Sequence, residues 1–353
     1  MTAYRIAAIP GDGIGREVLP AARSVLDAAC AAHGLELSYQ TFDWSCDRYL
    51  REGAMMPPDA LEQLREFDAI FLGAVGDPRV PAHVSLWGLL IPIRQRFRQY
   101  VNLRPIRVLD GLPSPVRACA EHPVDLVVVR ENVEGEYTEL GGRFGRGFGD
   151  ELATQQAIFT RSGITRIVDY ALELAAARRR LLTSATKSNG IIHTLVFWDE
   201  IVAERAAAHP DITVKSELID ALCAKLVLEP HTFDVIVGSN LFGDILGDVA
   251  AAVAGSIGVA PSGNLNPERE YPSMFEPVHG SAPDIAGRGI ANPLGAIWAG
   301  AMMLDHLGHP DAGASVVGAI SRVLADSETR TPDLGGCAST AEFAGEVRGA
   351  LSP

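Results

Sequence analysis

The sequence predicts an α/β protein of two lobes built on a substantially parallel sheet, and three observations carry that expectation. Short apolar runs, each the length of a buried strand and bounded by Gly, Pro or Asp, recur along the chain. Stretches with apolar residues at helical spacing separate most of them, and strands alternating with helices build parallel sheets. At 353 residues the chain exceeds one simple core, so two lobes sharing a cleft are expected.

The elements follow in order. RIAAIP at 5–10 reads as a first strand and residues 15–33 as an amphipathic helix. DAIFLGAVG at 68–76 and VDLVVVR at 124–130 read as buried strands, and 163–179 as a second long helix. RLLTSAT at 180–186 and FDVIVGSN at 233–240 complete the strand set. FEPVHGSAPDIAGRGIANP at 275–293 reads as a long irregular loop, a kind of segment that tends to carry function inside compact domains. No internal repeat, low-complexity tract or separating linker interrupts the pattern.

Composition bounds the partners. Apolar residues make up 47% and charged residues 21%, an ordinary globular balance. The formal net charge of −14 argues against nucleic acid, which needs a basic face. The one basic run, Arg178-Arg179-Arg180, is expected to complement the C-terminal carbonyls of the Ala-rich helix before it. Five cysteines are scattered without a C-x-x-C pair, so neither a disulfide framework nor a zinc site is expected and a reducing compartment fits. The N-terminus lacks the layout of a signal peptide, and no apolar run reaches the roughly 18 residues of a membrane span. A soluble, cytoplasmic protein is expected.

Several segments carry chemistry. GDGIG at 11–15 follows a strand and opens a helix, but Arg16 breaks the full G-x-G-x-x-G pattern. A dinucleotide site and a tight strand-to-helix turn both fit it. In GSNLFGDILGDVA at 238–250, Asp244 and Asp248 lie four apart at the start of a helix, so both carboxylates share a face. Two such oxygens suit Mg2+ or Mn2+ with substrate and water completing the shell, and a solvated helix face is the plain alternative. Arg94 and Arg98 in IPIRQRFRQY, Arg104 in VNLRP and Arg130 at the end of VDLVVVR offer guanidiniums to a diacid, with surface ion pairing as the alternative. Lys187 in TKSNG is one of three lysines and can be shifted to a usable base, unlike Arg; an exposed loop lysine reads equally well. Tyr137 in RENVEGEY could act as an acid beside a lysine, although a loop tyrosine is usually structural. Asp284 could accept both hydroxyls of an adenosine ribose.

Taken together these segments resemble the β-decarboxylating dehydrogenases, the isocitrate and isopropylmalate dehydrogenase family. GDGIG, NLRP, RENVEGEY, TKSNG, GSNLFGDILGD and FEPVHGSAPDIAGRGIANP occur in family order over essentially the whole chain. SLWG at 85–88, with RENVEGEY and SNLFGDILGD, is most similar to the tartrate/D-malate branch. The resemblance implies a two-domain, non-Rossmann fold with a shared sheet and cleft. Residues 1–102 plus 257–353 would form a cofactor-side domain, and 103–256 a central domain with the metal site and dimer interface.

The resemblance also implies roles. Arg94, Arg104 and Arg130 would bind substrate carboxylates, and Trp87 and Leu90 would line the pocket over C3. Asp244 and Asp248 would hold Mn2+ or Mg2+, with Asp220 contributed by the neighbouring subunit of a homodimer with shared active sites. Tyr137 and Lys187 would be the acid–base pair. Ile14, Asn189, His279, Gly280, Ser281, Ala282, Asp284, Ile285 and Asn292 would form the cofactor pocket. NAD rather than NADP is implied, because NADP enzymes of the family carry Lys and Tyr where this chain has Asp284 and Ile285; K+ is a further candidate cofactor.

Two departures bear on substrate choice. Trp87 stands where isopropylmalate enzymes usually carry Glu, and Pro92 just before Arg94 is unusual. The expected activity is metal- and NAD-dependent oxidation and β-decarboxylation of D-malate to pyruvate, with oxidation of tartrate. Alternatives are a 3-isopropylmalate dehydrogenase, a catalytically silent regulatory subunit, and a Mg2+-dependent hydrolase.

Overall fold

The computed structural model describes residues 2–112, 114–116, 119 and 122–351. The chain divides into two compact units. One combines both chain ends, Met1–Gln99, Arg107–Arg117 and Ala251–Pro353; the other is Tyr100–Ile106 with Ala118–Ala250.

In the chain-end unit the strands run in the order Leu35–Thr41, Thr2–Gly11, Ala69–Ala74, Ser273–Pro277, Pro261–Leu265. The first three and Ser273–Pro277 are parallel, and Pro261–Leu265 pairs antiparallel with Ser273–Pro277. Only three consecutive βα-type strands precede the departure into the central unit, so this is not a Rossmann sheet. Helix Gly15–Ala32 buries Val18, Leu19, Ala22, Val25 and Leu26 and packs on helices Leu294–His306 and Thr340–Gly349. Its apolar stripe recurs at helical spacing, which is why it was legible.

In the central unit Val101–Arg107, Asp125–Glu131, Val235–Gly238, Leu181–Thr186 and Thr213–Leu218 lie in that order. The last four are parallel. Helix Arg161–Ala177 covers them with Ile164, Ile167, Val168 and Leu172, each fully buried and each stabilising by ~1.5–3 kcal/mol. Trp198, a buried residue of helix Thr194–Ala206, donates its indole N–H to Ser184 Oγ at 2.9 Å. Because the strands are parallel, Arg130, Lys187, Asp220 and the helix Asn240–Val253 all emerge at one edge, the C-terminal one where α/β sheets build their sites.

All five expected strands form. The expected helix 163–179 is Arg161–Ala177, starting earlier because Thr160 accepts from Gly163 N as its cap. Of the 275–293 loop, the first three residues belong to strand Ser273–Pro277, and helix Leu294–His306 begins directly after Pro293. The arginine trio caps the preceding helix through its backbone, Arg178 N and Arg180 N both donating to Ala175 O. The side chains turn elsewhere: Arg178 donates to Asp234 at 2.8 Å and to Asp125 at 2.8 Å, and Arg180 pairs with Asp211. A fully buried carboxylate at a strand start is a stronger attractor than exposed terminal carbonyls. Among the described residues none of the five cysteines forms a disulfide, and no helix is long and apolar enough to cross a membrane.

Candidate active site

The central unit gathers five of the singled-out side chains into one cluster centred on Asp244. Arg104 Nη2 donates to Asp244 Oδ1 at 2.8 Å and its Nη1 to Asp248 Oδ1 at 3.0 Å. Arg130 Nη1 reaches the same Asp244 oxygen at 2.6 Å, and the Tyr137 hydroxyl donates to Asp244 Oδ2 at 2.9 Å. Helix Asn240–Val253 presents both acids one turn apart, as the i, i+4 spacing requires.

The two glycines in GDILGD make this geometry possible. A Cβ on Gly243 would lie 2.4 Å from Arg130 Cβ, and one on Gly247 would lie 2.5 Å from Arg104 Cδ. Each glycine thus lets an arginine stem cross the helix and meet the aspartate that follows it. Two asparagines complete the hold. Asn102 Oδ1 accepts from Arg104 Nε at 2.8 Å, and Asn240 Oδ1 accepts from Arg130 Nη2 at 2.7 Å and Nε at 3.2 Å.

The glutamates of RENVEGEY position this cluster. Glu131 accepts from Val133 N and Glu134 N, tightening the loop between Arg130 and Tyr137. Glu134 accepts from Thr160 N and Oγ1 at the start of helix Arg161–Ala177. Glu136 accepts from Ser239 Oγ at 2.7 Å and Leu241 N at 3.0 Å, fixing the start of the aspartate-bearing helix. Sequence reasoning passed over Asn102, Asn240 and Glu136. The only trace they leave is their place inside NLRP, SNLFGD and RENVEGEY.

Electrostatics separates the two aspartates. Burial opposes ionisation of Asp244, but the guanidiniums of Arg130 and Arg104 outweigh it and hold its pKa below the ordinary value. Asp248 is pushed up, by burial first and by the neighbouring Asp244 charge, against the opposing pull of Arg104 and, more weakly, Arg130. Burial and the Asp244 charge raise the Tyr137 phenol, keeping its proton in place.

Lys187 and Asp220 form a second cluster. They emerge from neighbouring strands paired Thr186↔Leu218, and Lys187 Nζ donates to Asp220 Oδ1 at 2.6 Å. That contact lowers the Asp220 pKa. Asn189, two residues on, is exposed.

In the chain-end unit Arg94 is buried and donates to Glu276 Oε1 at 2.8 Å, an oxygen that also accepts from Asn264 Nδ2 at 2.7 Å. Arg98 does not share its face. The helix Ile91–Arg96 has ended, Arg98 adopts φ 46°, and its side chain turns to Glu270 on the surface. A cavity of about 460 Å³ is lined by Val75, Ser85, Leu86, Leu90, Ser281 and Pro283 among others; Leu90 lines it and Trp87 does not.

The 279–292 loop lies in the same unit. His279 Nδ1 lies 2.9 Å from the Gly280 carbonyl oxygen while its buried Nε2 has no protein partner, and burial pulls the imidazole pKa down. Gly280 and Asp284 are exposed, Ala282 takes φ 40° and Ile285 is half-buried. Asn292 donates to Asp333 at 3.0 Å and accepts from Leu294 N at 3.0 Å. GDGIG is a tight turn docked on this loop: Ile14 N donates to Ser281 O at 2.9 Å, and a Cβ on Gly13 would lie 2.0 Å from that oxygen. Ile14 itself is buried, and Asp12 accepts from Cys46 N and Gly76 N, tying three strand ends together. The glycines therefore serve backbone-to-backbone approach.

The donors fit the implied groups. Asp244 and Asp248 are hard oxygen donors already holding one cation, the Arg104 guanidinium, between them. Among the described residues no cluster of three His, Cys, Asp or Glu side chains is placed to hold a metal, so one chain offers two carboxylates to such an ion. The unpartnered His279 Nε2 and the exposed Asp284 carboxylate fit a polar, ribose-bearing cofactor.

The family model described as isocitrate/isopropylmalate dehydrogenase matches residues 5–347. The chain is 53% identical to a protein of Bacillus subtilis named "Probable tartrate dehydrogenase/decarboxylase", covering 98% of each. It is 52% identical to "D-malate dehydrogenase [decarboxylating]" of Escherichia coli, again over 98% of each. The structure is similar to the crystal structure of isocitrate dehydrogenase from Methylococcus capsulatus, with TM-score 0.89, 35% identity and 99% of each chain covered.

Proposed function

Because the chain belongs to the isocitrate/isopropylmalate dehydrogenase family, we propose that it is a metal-dependent NAD oxidoreductase that converts D-malate to pyruvate and carbon dioxide and also oxidises tartrate. The observation that carries this is the interlocked set of Arg104, Arg130, Asp244, Asp248 and Tyr137. Two guanidiniums and two carboxylates balance in charge, so a divalent cation and a diacid dianion can enter as a neutral pair. Asp244 and Asp248 would turn to the cation, leaving Arg104 and Arg130 to the substrate carboxylates.

Asp244 and Asp248 would hold a cation that would supply polarisation of the substrate 2-oxygen, and the 279–292 loop would hold NAD, which would supply the hydride acceptor for C2. Lys187, once parted from Asp220, takes the hydroxyl proton. The C3–C4 bond then breaks, carbon dioxide leaves, and the electron pair left at C3 takes a proton from Tyr137. Arg94, Arg104 and Arg130 hold the carboxylates, and Leu90 walls the C3 side. Ile14, Asn189, His279, Gly280, Ser281, Ala282, Asp284, Ile285 and Asn292 are proposed as the cofactor pocket, and Asp284 favours NAD because an unpaired carboxylate opposes a 2′-phosphate.

The chain-end unit would be the cofactor side and the central unit the metal and dimer side of a cytoplasmic homodimer. Support for the dimer comes from exposed apolar side chains of the central unit: Leu140, Phe144, Phe148 and Leu152 around the two-stranded sheet Gly141–Phe144 with Leu152–Gln155, and Leu228. Support for shared sites comes from Lys187 and Asp220 forming a cluster apart from Asp244, which lets the pair serve the partner's aspartates.

The test is NADH formation and carbon dioxide release by the purified protein with Mn2+. D-malate should exceed 3-isopropylmalate by at least about tenfold in kcat/KM, ~1.4 kcal/mol of transition-state binding. A 3-isopropylmalate dehydrogenase is the competing reading, favoured by the apolar wall at Leu90, and it prevails if the order reverses.

A further inference from the structure

We infer that a widened helical turn forced by Pro92 makes Leu86, with Leu90, the wall that sets substrate size, and turns Trp87 out of that pocket. The inference rests on the proposed malate chemistry and deepens it. Residues Ala82–Arg96 run as one helical course with a π-turn at Leu86–Leu90, where Ile91 N donates to Leu86 O, five residues back. Pro92 follows immediately. It has no N–H, and its ring would collide with the carbonyl four residues earlier, that of Gly88. Widening the turn to an i−5 bond moves that carbonyl aside.

The widening changes which side chains share a face. A π-turn advances about 80° per residue instead of about 100°, so Trp87 and Leu90 separate by about 120° rather than about 60°. Leu86 and Leu90 stay within about 40° of each other under either geometry. Burial agrees. Leu89 is fully buried in the core, and a Cβ on Gly88 would lie 2.7 Å from Met55 Cγ, so these two face inward. Ser85, Leu86 and Leu90 line the cavity of about 460 Å³, and Trp87 is neither in that lining nor in the core cluster.

The cavity is placed to meet substrate. Leu90 and Arg94 are one turn apart on the same face, so a carboxylate held by Arg94 sets its C3 substituent beside Leu90. Ser281, from the loop proposed to hold NAD, lines the same cavity. The substituent at C3 therefore meets Leu86 and Leu90, not the indole.

The test compares Leu86→Ala and Trp87→Ala in the enzyme with Mn2+ and NAD. The readouts are the kcat/KM ratio of 3-isopropylmalate to D-malate, and calorimetric Kd values for both acids with Mn2+ and no NAD. Leu86→Ala should raise the kinetic ratio about fivefold or more and tighten 3-isopropylmalate relative to D-malate in Kd. Trp87→Ala should change both ratios less than about twofold. A larger response at Trp87 than at Leu86 overturns the inference, as does no response at Leu86 in a variant whose melting temperature matches the wild type. A wild type that oxidises neither acid instead overturns the malate reading itself.

Discussion

Tyr137 owes its character to two neighbours. Its hydroxyl donates to Asp244 Oδ2, and the Arg130 guanidinium carbon lies 5.5 Å from its ring centroid. Burial and the Asp244 charge raise its pKa, so it carries a proton through the neutral range and can deliver one when an electron pair develops at C3. Tyr137→Phe should slow protonation more than hydride transfer: NADH should form from D-malate while pyruvate appears at least about tenfold more slowly than in the wild type. Equal rates of pyruvate formation by the two proteins would show that Tyr137 is not the acid. Glu131, on the same loop, is fully buried and its pKa is pushed up to about 7 against an ordinary 4.5. A raised folded-state value contributes stability that is complete below pH 4.5 and lost as pH rises through 7. Glu131→Gln keeps an oxygen for Val133 N and Glu134 N, so its urea midpoint should fall less between pH 5 and 8 than that of the wild type.

At the scale of the element, helix Asn240–Val253 works through its missing side chains. An alanine at either glycine gains up to about 1 kcal/mol of helix propensity, and overpacking costs about 1–3 kcal/mol. At Gly243 the obstacle is the Arg130 backbone and Cβ, which cannot yield, so Gly243→Ala should lose about 1–2 kcal/mol of stability by chemical denaturation. At Gly247 the obstacle is the flexible end of Arg104. There propensity offsets the strain, and Gly247→Ala should melt near the wild-type temperature yet raise the KM for D-malate, because Arg104 is swung off Asp244 and Asp248. An unchanged KM would place Arg104 outside the substrate site.

For the whole molecule the question is which residues meet in one site. Lys187 has Asp220 as its partner, and the Asp244 cluster is closed on itself by Arg104, Arg130 and Tyr137. If the sites are shared between subunits, Lys187→Ala and Asp244→Asn proteins should each be inactive, and hybrids of the two should recover about half of wild-type activity per dimer, since one of the two sites stays intact. No recovery in hybrids verified by mass spectrometry would show that each chain builds its own site.

The sequence by itself determined the α/β class, the five apolar strands and the residue types of the site. Strand burial and helix amphipathicity are written as local period, and RIAAIP or VDLVVVR needs no partner to be recognised. Edge strands such as Thr213–Leu218 escaped because half their side chains face solvent and no apolar run marks them. The acids and arginines were legible as chemistry, yet their pairing was not, since Arg104 and Asp244 lie 140 residues apart and meet only through the sheet. Tertiary structure also decided what the glycines are for. From its sequence GDGIG fits a dinucleotide site or a tight turn, and contact with Ser281 makes it a docking turn. Trp87 is the clearest case. The resemblance places it beside Leu90 over C3, but a π-turn at Leu86–Leu90 runs into Pro92, and the cavity there is lined by Leu86 and Leu90 and not by Trp87.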